Sequence, residues 1–283
     1  MIEQIVQYFS DMPTLHRTLI LVGGLSFFSL MESAIPLFAL NYGRGKHAAI
    51  NIFFTLTTII VNFSMAFILL KASDWVTANE YGLLHIITLP LWAKLIVGLL
   101  LMDLIAAWFI HWIEHRVPWM WKFHVIHHSD QHVDTTTANR HHPGESVFRF
   151  VFTTLSVILI GAPIWLIFVY QTMSVVLTQF NHANITMPAK LDLFISYVFC
   201  TPNMHRVHHH YRQPYSDTNY GNIFSFWDRM FGTYALVDNS QLKYGVDTYM
   251  GVPESNDLWT MLKIPFQKYR PTPTYDVDEK LKS

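Results

Sequence analysis

Apolar residues run for membrane-crossing lengths in three places along the chain, and in a fourth that a turn divides. Leu19 to Leu40 carries one charge, Glu32, and is long enough to cross a ~30 Å hydrocarbon layer as a helix. It exceeds the ~7–15 residue apolar core of a signal peptide and lacks a small-x-small cleavage site, so it is expected to be retained. Ile52 to Leu70 predicts a second span and Leu91 to Ile113 a third. In the third, Lys94 lies close enough to one end to extend its ammonium to the interface, and Trp92 and Trp112 stand at levels where indoles anchor. The fourth stretch, Val147 to Phe180, is broken at Gly161-Ala162-Pro163. That break predicts a hairpin, with arms short of ~20 residues, returning the chain to the side it left.

Composition agrees with a membrane chain. Of 283 residues 51% are hydrophobic and 14% charged, against ~25% charged in an ordinary soluble domain. A net charge of −1 leaves no basic field for nucleic acid. Arg17, Lys71 and Lys94 collect on one side of the predicted spans, whereas Arg44, Lys46, Arg116, Lys122, Arg140 and Arg149 collect on the other. The excess places that second side in the cytoplasm. The expected fold is all-α and integral to the membrane: about three transmembrane helices plus a helical hairpin, with a His-rich helical cytosolic domain. It reads as one domain in consecutive parts: the N-terminal spans (1–113), a first His-rich region (114–146), the hairpin (147–181), a second His-rich region (182–270) and a loose tail (271–283).

Histidine changes the picture most. Cys200 is the one cysteine, which excludes an internal disulfide, a four-Cys zinc site and a Cys-ligated iron–sulfur cluster. The 16 histidines rival the 19 Lys plus Arg. Eight fall into three groups, His111-Trp-Ile-Glu-His115, His124-Val-Ile-His127-His128 and His205-Arg-Val-His208-His209. Positions i, i+3 and i+4 share ~100° of helical arc, so each group aims its imidazoles one way. Packed at a membrane boundary without an ion, they leave many donors and acceptors unmet. Imidazole suits zinc, copper, iron and nickel rather than magnesium or calcium. Eight rings are too many for one ion, so two metals is the economical count. Isolated residues such as His16, His47, His85 and His132 read as ordinary surface or core histidines.

Two other uses of histidine leave most of the set idle. His111-Trp-Ile-Glu114-His115 is an H-x-x-E-H string, the pattern of a zinc hydrolase with Glu114 as base, but it employs two of the eight. A haem iron needs one or two. A non-catalytic metal-handling protein would need charged residues along a path through the spans, for which Glu32 and Asp103 are the strong candidates.

The groups and their surroundings resemble the His boxes of the fatty acid hydroxylase superfamily, membrane di-iron oxygenases that include sterol desaturases. The likeness extends through Arg116-Val-Pro-Trp-Met-Trp-Lys-Phe-His124, His127-His128-Ser-Asp130, Asp134-Thr-Thr-Thr, Arg140-His-His142-Pro143-Gly-Glu145 and Phe180-Asn-His182-Ala-Asn184. It continues in Pro202-Asn-Met-His205-Arg-Val-His208-His209, Thr218-Asn219-Tyr220-Gly221 and Phe226-Trp227-Asp228 to Thr233, and covers about Asp103 to Phe266. Trp112 stands where many members have Arg.

The resemblance implies that His111, His115, His124, His127, His128, His205, His208 and His209 hold two iron ions, with His142 and His182 as additional ligands. His141 and His210 lie outside the pattern. Asp103, Asp130, Arg140, Glu145, Asn184, Asn219 and Asp228 are candidates to orient the ligands. The implied reaction uses O2 to hydroxylate or desaturate a lipid C–H bond. Such a bond is beyond side-chain acid–base chemistry, so the oxidising power must come from the cofactor. The chain has no G-x-G-x-x-G fingerprint and too few cysteines for an iron–sulfur cluster, so a separate electron-transfer partner is implied. The mixed apolar, aromatic and Lys stretch Asp257 to Phe266 is expected either along the membrane surface or packed on the cytosolic domain.

Overall fold

A computed structural model describes residues 1–273; most of the tail expected to be loose lies outside them. Helices carry the described chain, and strand pairing among the described residues is limited to isolated bridges. In order, α1 is Ile2–Ser10, α2 Thr14–Ala34, α3 Arg44–Ala78, α4 Leu83–Ile86 and α5 Leu91–Asp103. A π-helical turn, Leu104–Phe109, joins α5 to α6, Ile110–Arg116. Then come α7 (Pro118–His128), α8 (Pro143–Ile160), α9 (Ile164–His182), α10 (Ala189–Ser196), α11 (Pro202–His208), α12 (Phe226–Met230), α13 (Val252–Asn256) and α14 (Leu258–Lys263).

Five helical stretches among the described residues are long and apolar enough to cross a membrane: Thr14–Ala34, Arg44–Ile86, Leu91–Arg116, Pro143–Ile160 and Ile164–His182. They correspond to the three spans and the two hairpin arms read from the sequence, with shifted limits. The first starts after Pro13 and stops at Ala34 rather than Leu40, because Pro36 cannot continue a helix and the chain there bridges Ile185. The second outruns its apolar core: α3 has 35 residues, ~52 Å at 1.5 Å per residue.

The hairpin organises the bundle. Gly161 takes φ 76°, and on Gly82 (φ 103°) a Cβ would stand 2.3 Å from the Gly161 nitrogen, so the turn and the end of the second span meet backbone to backbone. Ser73 Oγ donates to the Ala162 carbonyl (3.0 Å) at this end. Leu69, Leu99, Met102, Val157, Ile160, Leu166 and Ile167 fill the space between α3, α5, α8 and α9. The ends of α2, α6 and α9 and the starts of α3 and α8 all lie at the opposite end. Glu32 of α2 accepts from the Thr135 and Asn184 amides (2.7 and 2.8 Å), and His47 of α3 bonds Asp130 (2.9 Å). On that end α7 and α10 to α14 form a cap.

Candidate metal centre

Nine imidazoles converge inside the cap in two adjoining buried groups. His111, His115, His124, His128 and His208 make one, and His127, His182, His205 and His209 the other. The partition follows from helical phase. On α7 the i, i+4 pair His124 and His128 faces one group, while His127, one residue before His128, faces the next; at α11 His208 goes to the first, and the i, i+4 pair His205 and His209 to the second.

Nε2 atoms of different rings meet at hydrogen-bonding distance. His124 Nε2 lies 3.1 Å from Nε2 of both His111 and His128. His182 Nε2 lies 3.2, 3.1 and 3.2 Å from those of His127, His205 and His209. In several rings Nδ1 is already spent outward, which fixes the tautomer and leaves Nε2 a bare lone pair. His111 donates to the Tyr220 carbonyl (2.9 Å), His208 to the Thr218 carbonyl (2.7 Å) and His182 to the Thr178 carbonyl (2.8 Å). His115 bonds Asp217 (3.1 Å) and His124 bonds Glu145 (2.8 Å). Nε2 of His115 and of His208 is buried with no hydrogen-bond partner among the described residues.

Facing lone pairs repel, and a cation between them reverses that. Two imidazole nitrogens ~2.1 Å from one ion at ~90–110° lie roughly 3.0–3.4 Å apart, the spacing seen here. The donor set therefore fits one divalent transition ion per group. Protonation states agree for the rings beyond the spans. Burial pulls His124 down to about 3 even with Glu145 beside it. Burial, reinforced by neighbouring imidazoles, holds His127, His128, His205 and His208 well below the ordinary value. The rings stay neutral at physiological pH, the form that ligates.

The structure brings together all eight box histidines and His182. It does not bring His142, expected as an additional ligand, into either group. His142 is the N-cap of α8: its Nδ1 accepts from the Gly144 amide (3.0 Å) and Nε2 donates to the Leu262 carbonyl (3.4 Å). A His directly before Pro at a helix start is a natural cap, and capping turns the ring outward. His141 comes closer, stacking on His127 at 4.8 Å between centroids and bonding Glu145 (2.7 Å). His210 stays outside, bonded to Arg212.

The candidate orienting residues divide by distance from the rings. Glu145 touches His124 and His141 directly and is held by Arg149 Nε (2.9 Å). Asp228 acts one step back. It accepts from Trp108 Nε1 (3.0 Å), the Tyr220 and Gly221 amides (2.9 Å each) and Thr233 Oγ1 (2.7 Å), clamping the segment whose Tyr220 carbonyl receives His111. Burial pushes Asp228 up to about 6, against the pull of these donors. Asn219, at φ 52°, ties the Met204 carbonyl of α11 to Ala235. Asp130 and Arg140 hold the loop after α7: Arg140 donates to the Ile126 carbonyl (2.9 Å), and Asp130 receives Thr137 Oγ1 (2.8 Å). Asn184 pairs with the Phe38 backbone and contacts no ring of either group by hydrogen bond. Asp103 lies away from the rings, accepting from the Ile223 and Phe224 amides (3.2 and 3.1 Å) and Trp227 Nε1 (3.1 Å).

Sequence reasoning missed Asp217, Arg149 and the carbonyls of Thr178, Thr218 and Tyr220. The carbonyls leave no side-chain signal. Arg149 was readable as the i+4 partner of Glu145 on one helix.

Comparison with known proteins adds the lineage. A family model for fatty acid hydroxylase matches residues 95–233, from within α5 to just past Asp228. This stretch belongs to the fatty acid hydroxylase family. The matched region holds all nine clustered histidines. It is similar to an ornithine lipid hydroxylase of Rhizobium tropici (27% identity over 51% of this chain and 43% of that protein). It also resembles an alkylglycerol monooxygenase of Danio rerio (30% identity; 56% of this chain, 33% of that protein) and a cholesterol 25-hydroxylase of Rattus norvegicus (24% identity; 53% and 49%). The matches span less than half the length of these curated relatives. No solved structure matches the chain.

Proposed function

We propose that the chain is a membrane-bound di-iron oxygenase that hydroxylates a C–H bond of a membrane lipid, with its site on the cytoplasmic side. The observation that carries this reading is the pair of adjoining buried imidazole groups, each spaced for one ion. Family membership and relatives named as lipid hydroxylases and monooxygenases support it and favour hydroxylation over desaturation. The excess of Lys and Arg at the cap end supports the orientation.

Two irons held there would supply the power to activate O2 and break a C–H bond that no side chain can ionise. The protein's part is holding and exclusion. His111, His115, His124, His128 and His208 would hold one ion, and His127, His182, His205 and His209 the other. Glu145, Asp217 and the three carbonyls hold His111, His115, His124, His182 and His208 with Nε2 inward, and burial keeps water from the reacting carbon. The two electrons needed per O2 come from a separate redox partner, since the chain carries no nucleotide fingerprint or thiolate cluster.

Specific contacts oppose the other readings. Glu114, the base a zinc hydrolase would need, sits behind His124: its carboxylate is 3.8 Å from Nδ1, opposite the convergent Nε2, and is paired with Arg149 (2.6 Å). For a transport path, Glu32 and Asp103 are both spent on backbone amides. The test is lipid mass spectrometry of cells expressing the protein with and without O2. The expected product is a lipid gaining one oxygen atom only when O2 is present and lost in His205→Ala. Loss of two hydrogens would make it a desaturase, and identical lipids in both atmospheres would overturn the proposal.

A further inference from the structure

One surface of the cap is built inside out. Helix α10 buries Asp192 and Ser196, four residues apart, and exposes Leu191, Leu193 and Phe194, followed by Tyr197 and Val198. Phe194 is 75% exposed. A helix bordering water shows the reverse pattern. Nearby, Met230 (67%) and Phe231 (49%) at the end of α12 are also bare.

Depth is set by what these segments touch. Phe199 packs with Met173 and Leu177 of α9 and forms with Thr172 and Val176 an apolar groove of about 320 Å³. Those α9 residues lie five to ten positions before His182, ~7–15 Å back along the helix toward the far side. The partner of this segment reaches a similar level on the third span. Phe224 bridges Phe199, the Cys200 amide donates to the Ile223 carbonyl (3.0 Å) and the Ser225 amide to the Val198 carbonyl (3.0 Å). The Ile223 and Phe224 amides in turn donate to Asp103, eight residues before His111. Irregular backbone at hydrocarbon depth is tolerated only where its polar groups are satisfied by protein. The carboxylate of Asp103, otherwise a costly group within a span, supplies that satisfaction.

We infer that residues 189–200 and 222–231 form a re-entrant wedge embedded in the leaflet on the site side, and that the groove it makes with α9 takes a hydrocarbon chain of a membrane lipid. The groove is continuous with the lipid-facing surface of α9 and is lined by apolar side chains and the Thr172 side chain, which suits a chain rather than a headgroup. The wedge rests on the membrane reading of the five helices. The groove's occupant rests on that same membrane reading.

The full-length protein in phosphatidylcholine vesicles tests both parts without turnover. Nitroxide is attached at Phe194→Cys and, separately, Tyr197→Cys; Cys200 is buried, so unsubstituted protein gives the background. Phe63→Cys in α3, 83% exposed on a span, sets the lipid standard, and Ser240→Cys the water standard. Oxygen-to-nickel-chelate collision ratios at 194 and 197 are expected to match Phe63→Cys; ratios matching Ser240→Cys would overturn the wedge. A phosphatidylcholine with a photoreactive acyl chain is expected to crosslink to Val176, Leu177 or Phe199, with loss of those adducts in Val176→Trp. Adducts confined to exposed span residues such as Phe63, or unchanged in Val176→Trp, would overturn the groove. Neither readout requires bound iron or turnover, so a failed oxygenase assay leaves this result standing, and the reverse holds too.

Discussion

Removing the carboxylate of Asp228 should loosen the metal centre from a distance. Its Oδ1 accepts three donors, Trp108 Nε1, the Tyr220 amide and Thr233 Oγ1, and Oδ2 accepts the Gly221 amide. In Asp228→Asn the amide oxygen keeps the first three while its NH2 faces the Gly221 N–H at about the present 2.9 Å. One buried donor is stranded, at a cost of ~1–3 kcal/mol. Asp228→Ala strands all four, and because neighbouring losses are not additive the expected cost is ~4 kcal/mol or more rather than their full sum. The Tyr220 carbonyl then drifts from His111, and losing such outer partners typically costs ~10–100-fold in metal affinity. Protein purified in mild detergent would be challenged with chelator, its metal counted by mass spectrometry and its unfolding followed by heating. The expected order of metal retention is wild type, then Asp228→Asn, then Asp228→Ala. If Asp228→Ala keeps its metal and unfolds with the wild type, the clamp has no role.

Three further outcomes are expected. His142→Ala should lose ~1 kcal/mol as a missing helix cap and retain its metal, whereas His182→Ala should lose one ion per chain; equal metal loss in both would return His142 to the ligand set. In metal-stripped protein the depressed histidines make stability fall as pH drops from ~6.5 toward ~3, because the unfolded chain binds protons that the fold refuses, at ~1.4 kcal/mol per pH unit for each ring; a melting temperature independent of pH between 7.5 and 5 would contradict their burial as neutral groups. Asp103→Leu strands three donors at membrane depth, the Ile223 and Phe224 amides and Trp227 Nε1, and should cost several kcal/mol; wild-type resistance to unfolding would show that water reaches them.

The spans were legible because bilayer thickness translates into a count of apolar residues, and the boxes because three or four positions on a helix share a face. Gly161-Ala162-Pro163 marked the hairpin by the chemistry of its turn. What could not be read depends on chain segments far apart in sequence. Nothing in His127-His128 announces that adjacent residues join different imidazole groups; that emerges when α11 and the end of α9 arrive with their own rings. Asp103 looked like a partner for a histidine on its own helix, yet it serves backbone 120 residues onward. His142 shares composition with its clustered neighbours and differs in one local feature, the following proline, that makes it a cap. The outward leucines and phenylalanine of α10 carry no sequence label separating them from core residues, since only the packing says which side of a short helix meets the protein.

Helices α7 and α11 each contribute to both imidazole groups, so ordering the rings of one group orders part of the other. An ion that fixed His124 and His128 would immobilise the rod that bears His127, and one that fixed His208 would do the same for His205 and His209. If each group holds an ion as proposed, the first would meet part of the ordering cost of the second, and positive coupling between the two sites is the expected behaviour.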